Sequence, residues 1–239
     1  MAFKVIPIKR GFLEIAPLFE LSQKFESVIC GGYARYCASP LPTAKVIPAG
    51  DIDFFPKSED ASNGLYKALE DMGFEKQHEN HVSVTLKPKK DKESDLEIYP
   101  TPQIIKPVIE GKIVTLGTVE EILSNFDFTI VRAAIISPTE VMVDEQFEED
   151  EKHRILRLEN IHCPISSTLR CCKYARKGYR MRPAQALKLF IDWTNRGPEY
   201  QARIIELFAE SSLGKKSEKN PDGMTHEEID ELESLLRID

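Results

Sequence analysis

Phe12, Leu13, Ile15, Leu18, Phe19, Leu21 and Phe25 recur at helical spacing, so residues 12–26 are predicted to form a helix with one face on a core. Ser27–Cys30 then reads as a short strand broken by Gly31-Gly32, and Tyr33–Ala38 as a helix start. Residues 39–50 hold three prolines and a glycine and read as a loop. Asp51–Phe55 is a predicted strand, Pro56–Asp60 a turn, and Ala61–Met72 a helix with Gly73 as its C-cap. His81–Lys87 and Asp95–Tyr99 look like two strands of a hairpin. Val119–Asn125 and Thr129–Ile136 have helical spacing, and Val141–Val143 and Arg154–Leu158 read as strands pairing around an acidic loop. Beyond Pro164 the pattern is helical at 165–177, 183–195 and 198–210. A linker over 212–223 and a last helix capped by Thr225 and Glu228 follow.

These elements give an α/β (α+β) architecture: a mixed sheet with flanking helices over residues 1–160, then a helical region over 161–239. No apolar run approaches the roughly 20 residues that span a bilayer, and the N-terminus has no signal-peptide core. No membrane partner and a cytoplasmic location (a host cytoplasm if phage-encoded) are therefore expected. Five cysteines, two of them adjacent, argue against a disulfide framework and for buried thiols. His162, Cys163 and Cys171 lack a fourth partner for zinc. A net charge of −7 argues against a nucleic-acid coat. The charge is uneven, however: residues 144–151 carry six acids, and 170–182 carry six bases and no acid.

Chemistry is concentrated near the N-terminus. Asp51 and Asp53 alternate on one strand, so both carboxylates face the same way, with Cα atoms about 6.6 Å apart. Such a pair repels itself unless a cation lies between. Magnesium suits it, since the ion takes a few carboxylate oxygens and completes its shell with phosphate and water. Two such ions can activate a hydroxyl and stabilise a leaving pyrophosphate. Gly31 and Gly32 let backbone approach a phosphate, and Arg35 follows within about one turn as a candidate for the same phosphates. Glu97, alternating with Leu96 and Ile98, is the candidate third acid, as base or metal ligand.

This ordered set, SVICGGYARY followed by GDIDFF, resembles the head domain of the polynucleotide adenylyltransferase and CCA-adding enzyme family. The resemblance covers roughly residues 25–180. It implies a nucleotidyltransferase head, with Gly31, Gly32, Arg35, Asp51 and Asp53 in the family's glycine turn and Asp-x-Asp strand. DLEIYPT resembles the later acidic strand and so places Glu97 there. FDFTIVRAA resembles the family's Asp-Phe-Thr-Ile-Asn-Ala motif and supplies Asp127 as a nucleotide-site residue. LRCCKYARKGY resembles the neck helix.

The departures are specific. Asn125 and Phe126 stand where the family has two arginines, and Val131 where it has asparagine. The acidic and arginine residues that read the base are replaced by CPISS at 163–167. With 239 residues, a body and tail for tRNA are not expected. The resemblance thus implies the transfer chemistry in a compact, phage-type relative, and not ordered CCA addition.

Arg170, Lys173 and Lys177 share one helical face, with Arg176 and Arg180 in the next row. They suit triphosphate or RNA, with Tyr174 and Tyr179 as candidate stacking rings; the alternative is a solvated helix paired with the acidic segment. The function expected is transfer of a nucleoside monophosphate from an NTP, ATP or CTP favoured, to an acceptor hydroxyl, an RNA 3′ end first. Mg²⁺, or Mn²⁺ in its place, would be held by Asp51, Asp53 and Glu97, and Gly31, Gly32, Arg35, Asp127, Arg170 and Lys173 would contact the nucleotide. The alternatives are a small-molecule or protein acceptor, and a non-catalytic nucleotide- or RNA-binding protein on the same scaffold.

Overall fold

The computed structural model describes residues 2–202 apart from 47, 80, 81, 91–95, 110, 111, 114–116, 162, 163 and 200, with backbone only at 108, 109, 112, 113, 165 and 166. The chain divides into two compact units, 1–153 and 154–239.

In the first unit, strands β1 (Phe3–Pro7), β2 (Ser27–Cys30), β3 (Asp51–Pro56), β4 (Phe74–Glu79), β5 (Ser83–Pro88), β6 (Thr101–Ile105), β9 (Ala133–Ser137) and β10 (Glu140–Asp144) form one mixed sheet. Two short strands, β7 (Val108–Ile109) and β8 (Lys112–Ile113), pair separately. The main sheet order is β1-β10-β9-β2-β3-β6-β5-β4. Among the described residues, β3 and β6 make its one parallel pair, and β3 lies near the middle. Helices α1 (Phe12–Lys24), α2 (Gly32–Ala38) and α3 (Glu59–Met72) pack on one face. Ile15 and Leu18 of α1, Ala34 of α2 and Leu65 and Leu69 of α3 meet Ile29, Ile52, Phe54, Ile104 and Leu86 of the strands there. Each large side chain so buried contributes about 1.5–3 kcal/mol. Ser58 caps α3 by accepting from the Ala61 N–H at 3.0 Å, and Gly73 ends it in the left-handed region.

The other face carries a smaller cluster. Helix α4 (Val119–Ser124), opened by a Thr118–Glu121 capping box, sets Ile122 and Leu123 on Cys30 and Ala134. Val28, Phe55, Phe126 and Met142 pack around that cluster. Helix α5 (Phe147–His153) closes the unit.

Four elements differ from the sequence expectations. Residues 129–136 are a 3₁₀ turn, Thr129–Val131, followed by strand β9. The run Ala133-Ala134-Ile135 is buried on both faces, and a doubly buried strand has no polar alternation to distinguish it from a helix. The hairpin joins β4 to β5, because the charged FEKQHE segment is an exposed edge strand. The strand expected at 95–99 is absent over its described part: the Tyr99 N–H donates to the Leu96 carbonyl at 3.0 Å, closing a turn. The acidic segment is β10 and α5 rather than a loop, with β10 between β9 and β1.

The second unit contains α6 (Pro164–Arg176) and α7 (Pro183–Asn195), with a two-residue parallel ladder between β11 (Ile155–Leu156) and β12 (Arg180–Met181). Lys188 donates to the carbonyls of Leu158 and Glu159, both at 3.1 Å, tying α7 to the segment after β11. The expected linker and last helix lie outside the described residues, as does most of 198–210.

Candidate active site

β3 carries Asp51 and Asp53 on the face opposite Ile52 and Phe54, which are fully buried in the core. Antiparallel pairing sets Cys30 of β2 across from Asp53. The chain then turns at Gly31 directly against the carboxylates. A Cβ on Gly31 would lie 3.0 Å from Asp53 Oδ2, and one on Gly32 would lie 3.7 Å from Asp51 Oδ1. Gly31 has φ 78° and ψ −135°, a conformation that side chains disfavour. Its N–H donates to the Ala133 carbonyl at 2.9 Å and its carbonyl accepts from the Arg35 N–H at 2.9 Å. The glycine turn therefore leaves room for two half-buried carboxylates, and the Gly31 N–H is not available to a phosphate.

The charge on Asp53 has a visible effect. Burial, and then the Asp53 carboxylate, push the Cys30 thiol well above its ordinary range, so it stays neutral beside the acids. Cys37, also buried, is pushed up to about 12.

Arg35 does not face this site. It is 2% exposed, and its Nη1 donates to Glu151 Oε1 at 3.0 Å. The Ser39 hydroxyl donates to the same oxygen at 2.8 Å. The Arg35 guanidinium is paired with Glu151 inside the core, so Arg35, expected at the phosphates, takes a structural contact here. The acidic segment accounts for its partners in the same way. Glu151 holds Arg35, Asp150 accepts from the Thr129 hydroxyl at 2.7 Å, Asp144 faces Arg132 at 3.4 Å, and Glu148 pairs with Lys4 at 2.7 Å.

Glu97 sits exposed in the turn four residues before β6. Among the described residues no three His, Cys, Asp or Glu side chains group as a metal site, so the expected three-acid set is not assembled. The residues in register with the aspartates on β6 are Thr101, beside Asp51, and Gln103, beside Asp53. Gln103 donates to the hydroxyls of Ser83 and Thr85, both at 3.2 Å, so a polar strip continues outward from the acids. The two aspartates remain a donor set that fits Mg²⁺: hard oxygens on one strand face, partly exposed, above backbone that carries no Cβ.

Asp127 is 5% exposed and accepts from the Phe128 N–H at 3.1 Å. Its turn is held by Arg132, a residue the sequence reading passed over. Arg132 is fully buried and donates from Nε and Nη2 to the Phe126 carbonyl, both at 3.0 Å, and from Nη2 to the Ser124 carbonyl at 3.2 Å. The one signal available was an arginine inside an apolar run, where a charge demands partners.

In the second unit, Arg170, Lys173, Arg176 and Arg180 are exposed. Tyr174 and Tyr179 are not stacking platforms: they are 7% and 4% exposed and pack edge to face at 5.3 Å. Lys177 lies over the Tyr174 ring at 5.5 Å, and Arg154 over Tyr179 at 5.7 Å. His78 is exposed, as a surface residue should be, whereas His81, His162 and Cys163 lie outside the described residues. Among the described residues no helix is long and apolar enough to cross a membrane.

The fold is matched by solved structures. A CCA-adding enzyme in complex with ATP superposes with a TM-score of 0.55 over 99% of this chain and 52% of its own, at 16% identity. The chain shares the fold of the CCA-adding enzymes. A tRNA nucleotidyltransferase complexed with a primer tRNA and an incoming ATP analog shows the same fold at TM-score 0.51 and 17% identity, over 92% of this chain and 56% of that one. The Thermotoga maritima CCA-adding enzyme complexed with tRNA matches at 0.50 and 16%, over 79% and 45%. The chain thus spans about half the length of these CCA-adding structures. No protein-family model matches it, and no curated protein matches it by sequence.

Proposed function

We propose that the protein is a metal-dependent nucleotidyltransferase that moves a nucleoside monophosphate from an NTP to an acceptor hydroxyl, an RNA 3′ end first among acceptors. The observation that carries this reading is the aspartate pair against the glycine turn, on the fold of enzymes solved with ATP, CTP and tRNA. Asp51 and Asp53 would hold Mg²⁺, which supplies charge neutralisation at the reacting phosphate and lowers the pKa of a bound hydroxyl. Gly31 and Gly32 keep the space beside those carboxylates open. Asp127, Arg170 and Lys173 remain candidates for nucleotide or acceptor contact. Arg170 and Lys173 lie on a basic helix whose RNA binding would weaken steeply with salt.

The test is Mg²⁺-dependent release of pyrophosphate from labelled NTPs, with RNA, protein and metabolite acceptors in separate reactions. Label on RNA alone supports the leading acceptor; label on a metabolite or on protein replaces it. Asp51→Asn should lower turnover by about 100-fold or more. Equal turnover by wild type and an Asp51→Ala/Asp53→Ala double variant would end the enzyme reading. The second reading, a nucleotide- or RNA-binding protein without catalysis, is favoured by two observations: Arg35 is sequestered in the core, and no third acid joins the pair among the described residues.

A further inference from the structure

The face of β3 that carries the aspartates also carries Phe55, two residues beyond Asp53 and on the same side. Its ring meets that of Phe126 with centroids 5.5 Å apart and planes at 47°. Both rings are half-buried, so part of the pair reaches solvent. The Phe126 ring edge lies 3.4 Å from the Cβ position of Gly31, the same point that Asp53 Oδ2 approaches to 3.0 Å. One glycine therefore has a carboxylate and an aromatic ring against the same point.

Phe126 is also held more firmly than apolar packing requires. Hydrophobic burial is non-directional, and a ring at a core edge needs no clamp. Here a fully buried guanidinium, Arg132, donates twice to the Phe126 carbonyl and once to that of Ser124, with Asp144 balancing its charge. Burying such an ion costs several kcal/mol unless its partners are well placed. The chain meets that cost at the turn that aims Phe126 at Gly31.

We infer that the Phe55–Phe126 pair is the shelf on which the nucleobase of a bound nucleoside triphosphate rests, and that the shelf accepts all four bases. The inference rests on the reading of this face as an NTP site and says which part of the nucleotide goes where. A phenyl ring offers a π face and no hydrogen-bonding edge, so it stacks on any base.

Equilibrium binding of ATP, CTP, GTP, UTP and inorganic tripolyphosphate to the full chain, with Mg²⁺, tests this. Wild type is compared with Phe126→Leu and Phe55→Leu, which keep an apolar side chain and remove the ring. Each variant should bind all four NTPs about 10-fold more weakly, the equivalent of about 1.4 kcal/mol of stacking, and tripolyphosphate as wild type does. Arg132→Lys, which keeps the charge and loses the fork, should show a smaller loss of the same kind. NTP and tripolyphosphate weakening together would mean a merely structural role and would overturn the inference. So would unchanged NTP affinity, and loss confined to one or two bases would overturn base tolerance. If wild type binds tripolyphosphate but no NTP better, the shelf alone fails. If it binds neither, the NTP-site reading fails and the shelf with it.

Discussion

Replacing Gly31 by alanine probes the site's geometry without touching a charge. Two costs follow from the structure. A left-handed φ of 78° with ψ −135° strains any residue with a Cβ by about 1–3 kcal/mol. The added methyl would meet Asp53 Oδ2 at 3.0 Å and the Phe126 ring at 3.4 Å, and relieving such overpacking costs about 1–3 kcal/mol more. The sum is about 2–6 kcal/mol, or a fall in Tm of roughly 5–20 °C for a unit of this size. Gly32→Ala is the control. Gly32 begins α2, its Cβ would find Asp51 Oδ1 at 3.7 Å and Ala49 Cβ at 3.8 Å, and alanine is favoured in a helix by up to about 1 kcal/mol. Urea and thermal denaturation of the two variants should move in opposite directions, or with Gly32→Ala near wild type. A Gly31→Ala protein as stable as wild type would refute the claim that this backbone turn is what seats the carboxylates.

Three further outcomes can be checked. Glu151→Ala removes the carboxylate that pairs with Arg35 in the core and should destabilise the first unit by about 3–5 kcal/mol in urea; a change below about 1 kcal/mol would show that this pair contributes little. Lys106 and then Lys76 hold the Glu79 carboxyl down at about 2, so the stability it lends is complete above its ordinary value of 4.5 and is lost as pH falls through about 2. Lys106→Met should raise the Glu79 midpoint in an NMR titration, and an unmoved midpoint would remove Lys106 as the cause. Cys30 and Cys37, neutral and buried, should resist iodoacetamide at pH 8 while Cys172 is labelled, read by mass spectrometry; alkylation of Cys30 at the rate of Cys172 would mean that β2 opens readily.

The parts of the fold that were legible in the sequence are those with one wet and one dry side. α1, α3 and β3 announce themselves by period because each presents one mainly buried face, and Gly73 and Ser58 mark the ends of α3. The aspartate pair and its glycine turn were legible because alternation on a strand needs no tertiary information. β9 was not, being buried on both faces, and β4 was not, being an edge strand of charged residues. Glu97 misled because three alternating residues, Leu96 to Ile98, suit a strand and a turn equally, and the Leu96–Tyr99 hydrogen bond decided for the turn. Arg35 misled in a different way. A charged residue at the right spacing reads as a site residue, and only the three-dimensional structure shows that its partner is 116 residues away inside the core.

That long link sets the order in which the molecule can be completed. Every strand of the main sheet has been synthesised once Asp144 is made, whereas Glu151, which pairs with Arg35 of α2, comes seven residues later. The glycine turn at 31–32, though among the first elements synthesised, is therefore locked by one of the last turns of its own unit.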